Sequence, residues 1–457
     1  MNQVAAGNRN ALVTASRARH VVLWFASTLA IVTYLDRVCI SQAAPMIQRD
    51  LKLSKEEMGL VFAAFGWAYA LFEIPGGWLG DRIGPRKVLM RVVAMWSIFT
   101  IATGWAWNLV SLVVCRFLFG VGEAGCFPNI TKAFTLWFPR AERVRAQGVL
   151  WISARWGGAF TPLLVGWMLA GGHDGKPGLG LHYKWVFLSF GVVGMVWAVL
   201  FYRWFRNHPQ EHPSVNPAEL AHIGVESYEG DHAMPWGRLL ASRTVWMLWG
   251  QYFFMSFSWY FYITWFPTYL RETFPTLTEM QQALLACVPL FCGGTGSMLA
   301  GVMSARIDRA VGSIARTRRI LGVGGMICAG LMLEVSILFR QPLVSVLAVE
   351  SPELPLAAKL APLLSVLAVG MASLLSDLSL PGSWGACMDV GGRYTGALGG
   401  SMNMMGNIGG AIAPMVVPFV LAHTHNSWTS NIHLFAVAYF LAAVFWAFVN
   451  SDDRLHD

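Results

Sequence analysis

Apolar residues run along this chain in blocks of about twenty, set apart by short polar stretches. Twelve such windows fit without overlap, beginning near His20, Met58, Val88, Leu109, Ala146, Trp185, Thr244, Gln281, Ile320, Ala357, Thr395 and His433. Each is long enough to cross a hydrocarbon core of about 30 Å. Lipid offers backbone amides no partner, so spans of this kind are helical. Strands of a membrane barrel would alternate polar with apolar residues, which these runs do not.

The longest polar stretch, Arg206 to Arg243, carries Pro209, Pro213, Pro217 and Pro235 with mixed charges and separates six spans from six. Internal repetition supports that division. Span 5 reads GVLWISARWGGAFTP (148–162) and span 11 reads GSMNMMGNIGGAIAP (400–414), with Gly148/Gly400, Gly157/Gly409, Gly158/Gly410, Ala159/Ala411 and Pro162/Pro414 all offset by 252. GGWLGDRIG (76–84) meets a worn counterpart in GVMSARIDR (301–309), with Asp81 and Asp308 offset by 227; the long connection 340–359 sits where the extra residues are needed. The expected fold is an all-α membrane protein, twelve transmembrane helices in two pseudo-symmetric six-helix bundles. Its parts are an N-terminal tail (1–19), a first bundle (20–205), a linker (206–243), a second bundle (244–450) and a C-terminal tail (451–457). Duplicated bundles of this type belong to transporters that rock around a central site.

Composition narrows the function. Of 457 residues, 55% are hydrophobic and 13% charged, against about 25% charged in a soluble domain, and the twelve spans leave no room for a soluble catalytic domain. The net charge of +8 divides unevenly: under an N-inside topology 22 Lys and Arg fall in cytoplasmic segments and 8 outside. That bias places both termini in the cytoplasm and points to a membrane, with no call on nucleic acid. The seven cysteines lie in or beside apolar spans with no CxxC pair, so neither a disulfide frame nor a metal site is expected. The eleven histidines fall in loops or at span ends, which argues against a histidine proton relay. The first span carries Asp36-Arg37 and lacks a small-residue cleavage site, so it reads as an uncleaved helix. GVGEAG (120–125) lies inside a span with no preceding strand and is not a dinucleotide loop. No cofactor and no enzyme activity are expected.

The segment GGWLGDRIGPRK (76–87) resembles the signature loop between helices 2 and 3 of the major facilitator superfamily. Within it, TYLDR (33–37), RFLFGVGEAGCFP (116–128), WFPRAER (137–143), SARWGGAFTP (153–162), WYFYITWFPTYL (259–270) and NMMGNIGGAIAP (403–414) together resemble the anion:cation symporters. The resemblance covers all twelve spans. It implies a carrier of organic anions: bacterial members import hexuronates, galactonate and glucarate, often with protons, and animal relatives carry sialic acid, phosphate or glutamate.

Three basic residues, Arg37, Arg116 and Arg155, and five acids, Asp36, Glu73, Glu123, Glu334 and Asp377, remain inside the spans after the loops are counted. Buried ions are costly, so each is a functional candidate. Three arginines cannot neutralise five ionised acids, and a carboxyl in a low-dielectric setting favours its neutral form, which points to proton binding. At about 1.5 Å per residue, Asp36 and Arg116 lie roughly level. Glu123 follows Arg116 by two turns on the same face, with Gly120 and Gly122 leaving room. Arg37, rotated by about 100° from Asp36, can reach Glu123 or the substrate. The resemblance implies proton coupling for Asp36 and Glu123 and anion recognition for Arg37 and Arg116; the alternative is a static ion-pair network between spans 1 and 4.

Glu73 and Glu334 sit toward the ends of their spans, where a carboxylate can meet water. Asp377, near the span-10 counterpart of Glu123, is a second titrating group or a gate residue, and Arg155 belongs to the cavity or the gate. Gln251, Ser383, Asn403 and Asn407 offer the second half's polar recognition, since amides and hydroxyls both donate and accept; the competing reading is interhelical hydrogen bonding. Tyr34 and Tyr69 are retained from the family resemblance, and the aromatic set of span 7 (Tyr252, Trp259, Tyr260, Tyr262, Trp265, Tyr269) is left open. Asp81, Arg82, Arg86 and Lys87, with Arg140, Glu142, Arg143 and Arg145, form cytoplasmic clusters that break and remake as the halves rock.

The expected function is import of an organic anion, a sugar acid of the hexuronate, hexonate or hexarate type, by proton symport with alternating access, in the inner membrane of a bacterium and as a monomer. Sodium is the alternative coupling ion, and aromatic carboxylates are the alternative cargo. A drug or metabolite exporter, and a membrane receptor or enzyme, fit less well: three membrane arginines disfavour cationic cargo, and no nucleophile, metal set or sensory domain is present.

Overall fold

The structure is a computed structural model that describes residues 15–169, 178–224, 236–275, 277, 279–339, 354–425 and 427–455. Among these residues every regular element is helical. The first half comprises α1 (Ala18–Leu51), α2 (Lys55–Ile83), α3 (Pro85–Gly104), α4 (Leu109–Glu123) with α5 (Cys126–Trp137), α6 (Arg143–Leu169) and α7 (Tyr183–Trp204). Short helices α8 (Pro217–Ile223) and α9 (Trp236–Ala241) occupy the linker. The second half comprises α10 (Arg243–Thr264) with α11 (Phe266–Thr273), α12 (Glu279–Val311), α13 (Ile314–Leu338), α14 (Leu354–Asp377) with α15 (Leu380–Gly391), α16 (Thr395–His423) and α17 (Trp428–Ala447). All twelve predicted windows fall on these helices.

By length and mean hydropathy alone, nine segments among the described residues qualify as membrane spans. Spans 10 and 11 run together there over Leu360–His423. Arg155 with its neighbouring glycines dilutes the mean in α6, and the tryptophans and tyrosines of span 7 do so in α10. Both helices are rich in cavity-lining residues, which explains why apolarity is lowest there.

Local sequence sets where helices start and break. Ser54 accepts the amide of Glu57 while the Glu57 carboxylate accepts the amide of Ser54, a capping box that starts α2. Span 4 breaks at Gly125, which takes φ +82°. A side chain there is excluded twice over, by that conformation and because a Cβ would lie 2.7 Å from the Gly76 Cα. Pro267 and Pro381 open the second segments of spans 7 and 10, where proline's missing N–H costs nothing. The breaks of spans 4 and 10 are related by the internal repeat. Glu123 and Asp377 are each the last residue before the break, so helix ends and carboxyls meet at mid-depth.

Within each half, α1 packs on α6 and α3 on α7, and α13 on α17; between halves, α2 lies against α16 and α6 against α12. The repeated glycines explain themselves here. A Cβ on Gly148 would lie 2.6 Å from the Ser297 carbonyl oxygen across one seam, and on Gly400 it would lie 2.5 Å from the Glu73 carbonyl oxygen across the other.

The first part of the linker, through α8, follows the first half, whereas α9 packs on α10. Fully buried Glu219 accepts the Ser16 hydroxyl (2.5 Å), the amides of Ala18 and Arg19 (3.1 Å each) and the Arg19 guanidinium (3.1 Å), capping the start of α1. Burial acts to raise the Glu219 carboxyl, but these hydrogen bonds outweigh it and hold the group below the usual glutamate range. Arg19 and His222 both reach Glu142 (3.0 and 2.9 Å). Residues 225–235 of the expected linker and 340–353 of the long connection lie outside the described residues.

Gly400→Ala and Gly148→Ala are each expected to destabilise the protein by about 1–3 kcal/mol, the usual cost of overpacking against backbone. Gly66→Ala, where nothing lies within 4 Å of the added Cβ, is expected to be neutral or stabilising by up to about 1 kcal/mol from helix propensity. Thermal unfolding in detergent reads the difference; equal midpoints for the three variants would show that the seams do not depend on glycine.

Candidate functional site

A cavity lies where the halves meet at mid-depth. From the first half it is lined by Tyr34, Arg37, Tyr69, Phe127, Trp151 and Arg155. The second half contributes Tyr252, Met255, Ser256, Trp259, Tyr260, Leu380, Asn403, Gly406 and Asn407. Two arginines and no carboxylate stand in the wall, which is otherwise largely aromatic.

Arg37 pairs with Glu123 through Nε, and its guanidinium lies 4.5 Å from the Tyr69 ring centroid and 5.7 Å from that of Tyr34. Its Nη2 and the Glu123 Oε2 have no hydrogen-bond partner among the described residues. Arg155 forks onto Asp377 of the opposite half, Nε at 3.0 Å and Nη2 at 3.4 Å, and stacks 3.7 Å from the Trp259 centroid. Asn403 donates to the Tyr69 hydroxyl (3.2 Å) and to Glu73 Oε1 (2.8 Å), Asn407 donates to the Asn403 carbonyl (2.8 Å), and Tyr260 donates to Asn407 (3.3 Å). The amides expected on one face of span 11 therefore both reach the cavity, and both tyrosines of the first half line it.

Behind this wall lies a second polar pocket. Asp36 is buried with both carboxyl oxygens unpartnered among the described residues, and it interacts electrostatically with Arg116 and Glu123. Arg116 does not line the cavity. Its guanidinium lies 4.5 Å from the Phe119 centroid and 5.1 Å from that of Phe65, a ring that Arg37 approaches from 5.4 Å. A single residue step thus sends Arg37 to the cavity and Asp36 to the pocket behind it, in keeping with their rotation of about 100° on the helix.

Three other expectations are corrected. Gln251 and Ser383 do not reach the cavity; they hydrogen-bond one another at 3.2 Å in the packed second half, the interhelical alternative. Glu73 does not meet water at a span end: it is fully buried against α16. Arg86 does not bridge the halves, because its guanidinium donates to the Tyr202 carbonyl at the end of α7 within the same half. Arg82 lies 5.5 Å from the Trp78 ring of its own helix. Glu334 pairs with partly exposed His433 (2.8 Å), in keeping with a span end.

The halves are tied on the face where residues 16–19 and 450–455 lie, the terminal face. Asp81 accepts the amides of Gly396 (2.9 Å) and Ala397 (2.7 Å), the exposed donors at the start of α16, where a negative charge is favoured. Lys132 joins it at 3.1 Å. Buried Asp389 receives Arg140 (2.5 Å) and Arg143 (2.8 Å) from the first half and Arg318 (2.5 Å) from its own. Lys132, Asp389 and Arg318 escaped the sequence reading. Lys132 is six residues beyond an apolar run and counts as loop unless the break at Gly125 is known; Asp389 and Arg318 are 71 residues apart and nothing in spacing joins them.

Comparison with known proteins agrees with this architecture. Residues 26–414 match the Major Facilitator Superfamily. A probable sulfoacetate transporter of Cupriavidus necator is 33% identical over 413 residues, covering 89% of this chain and 88% of that protein. A probable galactarate/D-glucarate transporter of Escherichia coli K12 is 28% identical, covering 95% of each. The hexuronate transporter of Bacillus subtilis 168 is 29% identical, covering 90% and 89%. The solved structure of the proton:xylose symporter XylE shares the fold with a TM-score of 0.70 at 16% identity, covering 95% of this chain and 97% of that one.

Removing the Asp389 charge leaves three arginines facing one another, and breaking a buried charge pair costs about 3–5 kcal/mol. Asp389→Asn is therefore expected to open the terminal face. The buried thiol of Cys387, on the same helix, reports it: maleimide labelling followed by peptide mass spectrometry should rise at least tenfold over wild type, and unchanged protection would mean that the Asp81 contacts alone hold the face shut.

Proposed function

The chain belongs to the Major Facilitator Superfamily, and from that premise we propose that it imports an organic anion, a sugar acid of the hexuronate, hexonate or hexarate type, by proton symport. The protein resides in the inner membrane of a bacterium as a monomer with both termini in the cytoplasm. The observation that carries the reading is the cavity cation Arg37: one guanidinium edge binds Glu123 and the other is unpartnered among the described residues, beside Asn403, Asn407 and two tyrosines.

This geometry supports a simple coupling. Glu123 competes with the cargo carboxylate for Arg37. A proton on Glu123 weakens that pair and frees the planar fork for the anion, to which it offers two charge-assisted hydrogen bonds. Asp36, with Arg116 beside it, holds or receives the coupled proton in the pocket behind. In the cavity the anion also meets Arg155. By drawing that arginine from Asp377 it loosens a tie between the halves, so binding and rocking favour one another. The terminal face is the cytoplasmic one under the positive-inside rule, and its closure by Asp81 and Asp389 gives the cavity the character of a site awaiting cargo from outside.

A second reading has its own support. Gln251 and Ser383 satisfy each other away from the cavity, which leaves fewer groups for sugar hydroxyls, while two arginines suit a short dianion. The relative named a probable sulfoacetate transporter makes a small sulfonated carboxylate the specific alternative.

Three measurements in proteoliposomes test the proposal. Glu123→Gln, which mimics the protonated acid, is expected to abolish uphill uptake driven by a pH gradient while retaining counterflow; uphill accumulation in both this variant and Asp36→Asn, or a dependence on sodium in its place, would defeat the coupling scheme. Arg37→Lys keeps the charge but loses the fork, and substrate affinity is expected to fall about tenfold or more, as for the loss of a hydrogen bond to a charged group. In competition assays galactonate, glucarate and glucuronate should inhibit and neutral sugars should not; inhibition by sulfoacetate alone selects the short dianion, and by hydroxybenzoate alone the aromatic acid.

A further inference from the structure

Glu73 has no role in the scheme above, yet it lies on a seam between the halves. Its carboxyl lies directly beneath the cavity floor formed by Tyr69 and Asn403, on the seam between α2 and α16. The side chain is fully buried. The carboxyl accepts hydrogen bonds from Asn403 of the opposite half, to Oε1 at 2.8 Å, and from the Tyr69 hydroxyl of its own helix, while Oε2 has no partner among the described residues. Immediately toward the terminal face the two backbones press together: a Cβ on Gly400 would lie 2.5 Å from the Glu73 carbonyl oxygen, and one on Gly77 would lie 2.0 Å from that of Gly396. The two backbones leave no room for a side chain between them there. No ion pair to Glu73 forms among the described residues. The charged and titratable groups that face it are Tyr69 of its own helix, Arg37 of α1, itself paired to Glu123, Glu123 of α4 and the Cys126 thiol of α5; α16 presents only the neutral amide of Asn403.

An ionised carboxylate held only by neutral donors, with a bare second oxygen and no cation of its own, is poorly compensated for leaving water. A neutral acid in the same place keeps the Asn403 bond and carries its proton on the bare oxygen. When the halves part on the terminal side, this is the seam that opens, and Glu73 passes from a sealed contact to a water-filled one. We propose that Glu73 is a further proton-carrying group of the pathway, protonated while the α2–α16 seam is closed and releasing its proton from Oε2 to water on the terminal side as the seam opens. The inference rests on the alternating-access reading but not on Asp36 and Glu123 as the coupling pair, nor on the identity of the cargo.

The test needs no substrate. Cys387, fully buried on α15 with its sulfur near Gly399 at the same interface, reports opening through maleimide labelling of the full-length protein in lipid vesicles. Glu73→Gln keeps an acceptor for Asn403 but cannot ionise. The ratio of wild-type to variant labelling rates cancels the intrinsic pH dependence of the thiol. It is expected to be near one in acid and to climb by up to about tenfold per pH unit above the titration of Glu73, the limit for one linked proton. A ratio that stays flat across pH overturns the proposal, whether or not pH-driven uptake is later found; loss of uptake coupling in Glu123→Gln bears on the other scheme alone. If Glu73→Gln labels rapidly at every pH because it does not fold, dicyclohexylcarbodiimide modification of the wild type decides. Glu73 modified in acid and spared as the pH rises supports the assignment, and no modification at any pH overturns it.

Discussion

The constraint on which this structure depends is that a charge surrounded by protein and lipid must find its opposite nearby. Several cations at the interface between the halves illustrate it. Arg155 takes Asp377, and Arg140 and Arg143 converge on Asp389. Asp81 finds both a lysine and a helix start. These ties are strong only as long as they are complete, because attraction and desolvation nearly cancel for a buried pair. A modest competitor, such as an anion or a proton, is enough to tip them. That near-balance suits an interface that must be specific and yet separate on every cycle.

The backbone is arranged to permit the same separation. The seams α2–α16 and α6–α12 are held by glycine-to-backbone approaches and a few polar bonds, whereas the interior of each half is filled by interlocking aromatics such as the stacked Trp197–Phe201–Phe205 ladder and Phe261 on Phe435. Flat, glycine-lined faces can part without dragging side chains out of sockets. The linker reinforces the division: Glu219 and His222 fasten its α8 end to residues 16–19 and 142 on the side of the first half, while α9 packs on α10 of the second.

Much of this was legible in the amino-acid order. Twelve apolar runs, the 252-residue repeat and the polar linker specify two bundles, and the rotation between Asp36 and Arg37 correctly separates a cavity residue from one behind it. What escaped has a common cause. Periodicity gives depth and face but not which neighbour the face meets, so Arg116, Gln251 and Ser383 could be placed at cavity depth without being placed in the cavity wall. The break at Gly125 depends on the proximity of Gly76, a tertiary contact no local pattern contains. Glu73 misled for the opposite reason: α2 continues to Ile83, ten residues past it, so a residue near the end of the apolar run lies well inside the helix.

The geometry also divides labour between two pockets that share one aromatic ring. Arg37 lies 5.4 Å from the Phe65 centroid and Arg116 lies 5.1 Å from it, while Glu123 pairs with the first arginine and interacts with the second. Any change in the charge of Glu123 is therefore felt on both sides at once, as a freed cation in the cavity and as a less compensated one behind it. Asp36, which faces the Trp96 indole and has no ion pair of its own among the described residues, is the group best able to answer the second effect, because its ionisation would supply the charge that Arg116 had lost. A proton exchanged between these two carboxyls would leave the net charge of the rear pocket unchanged while altering what the cavity presents to its cargo. On the proposed scheme, coupling would follow from the low dielectric itself and would need no large motion at the ion site; the motion would belong to the glycine seams, opening when the ties across them have been satisfied elsewhere.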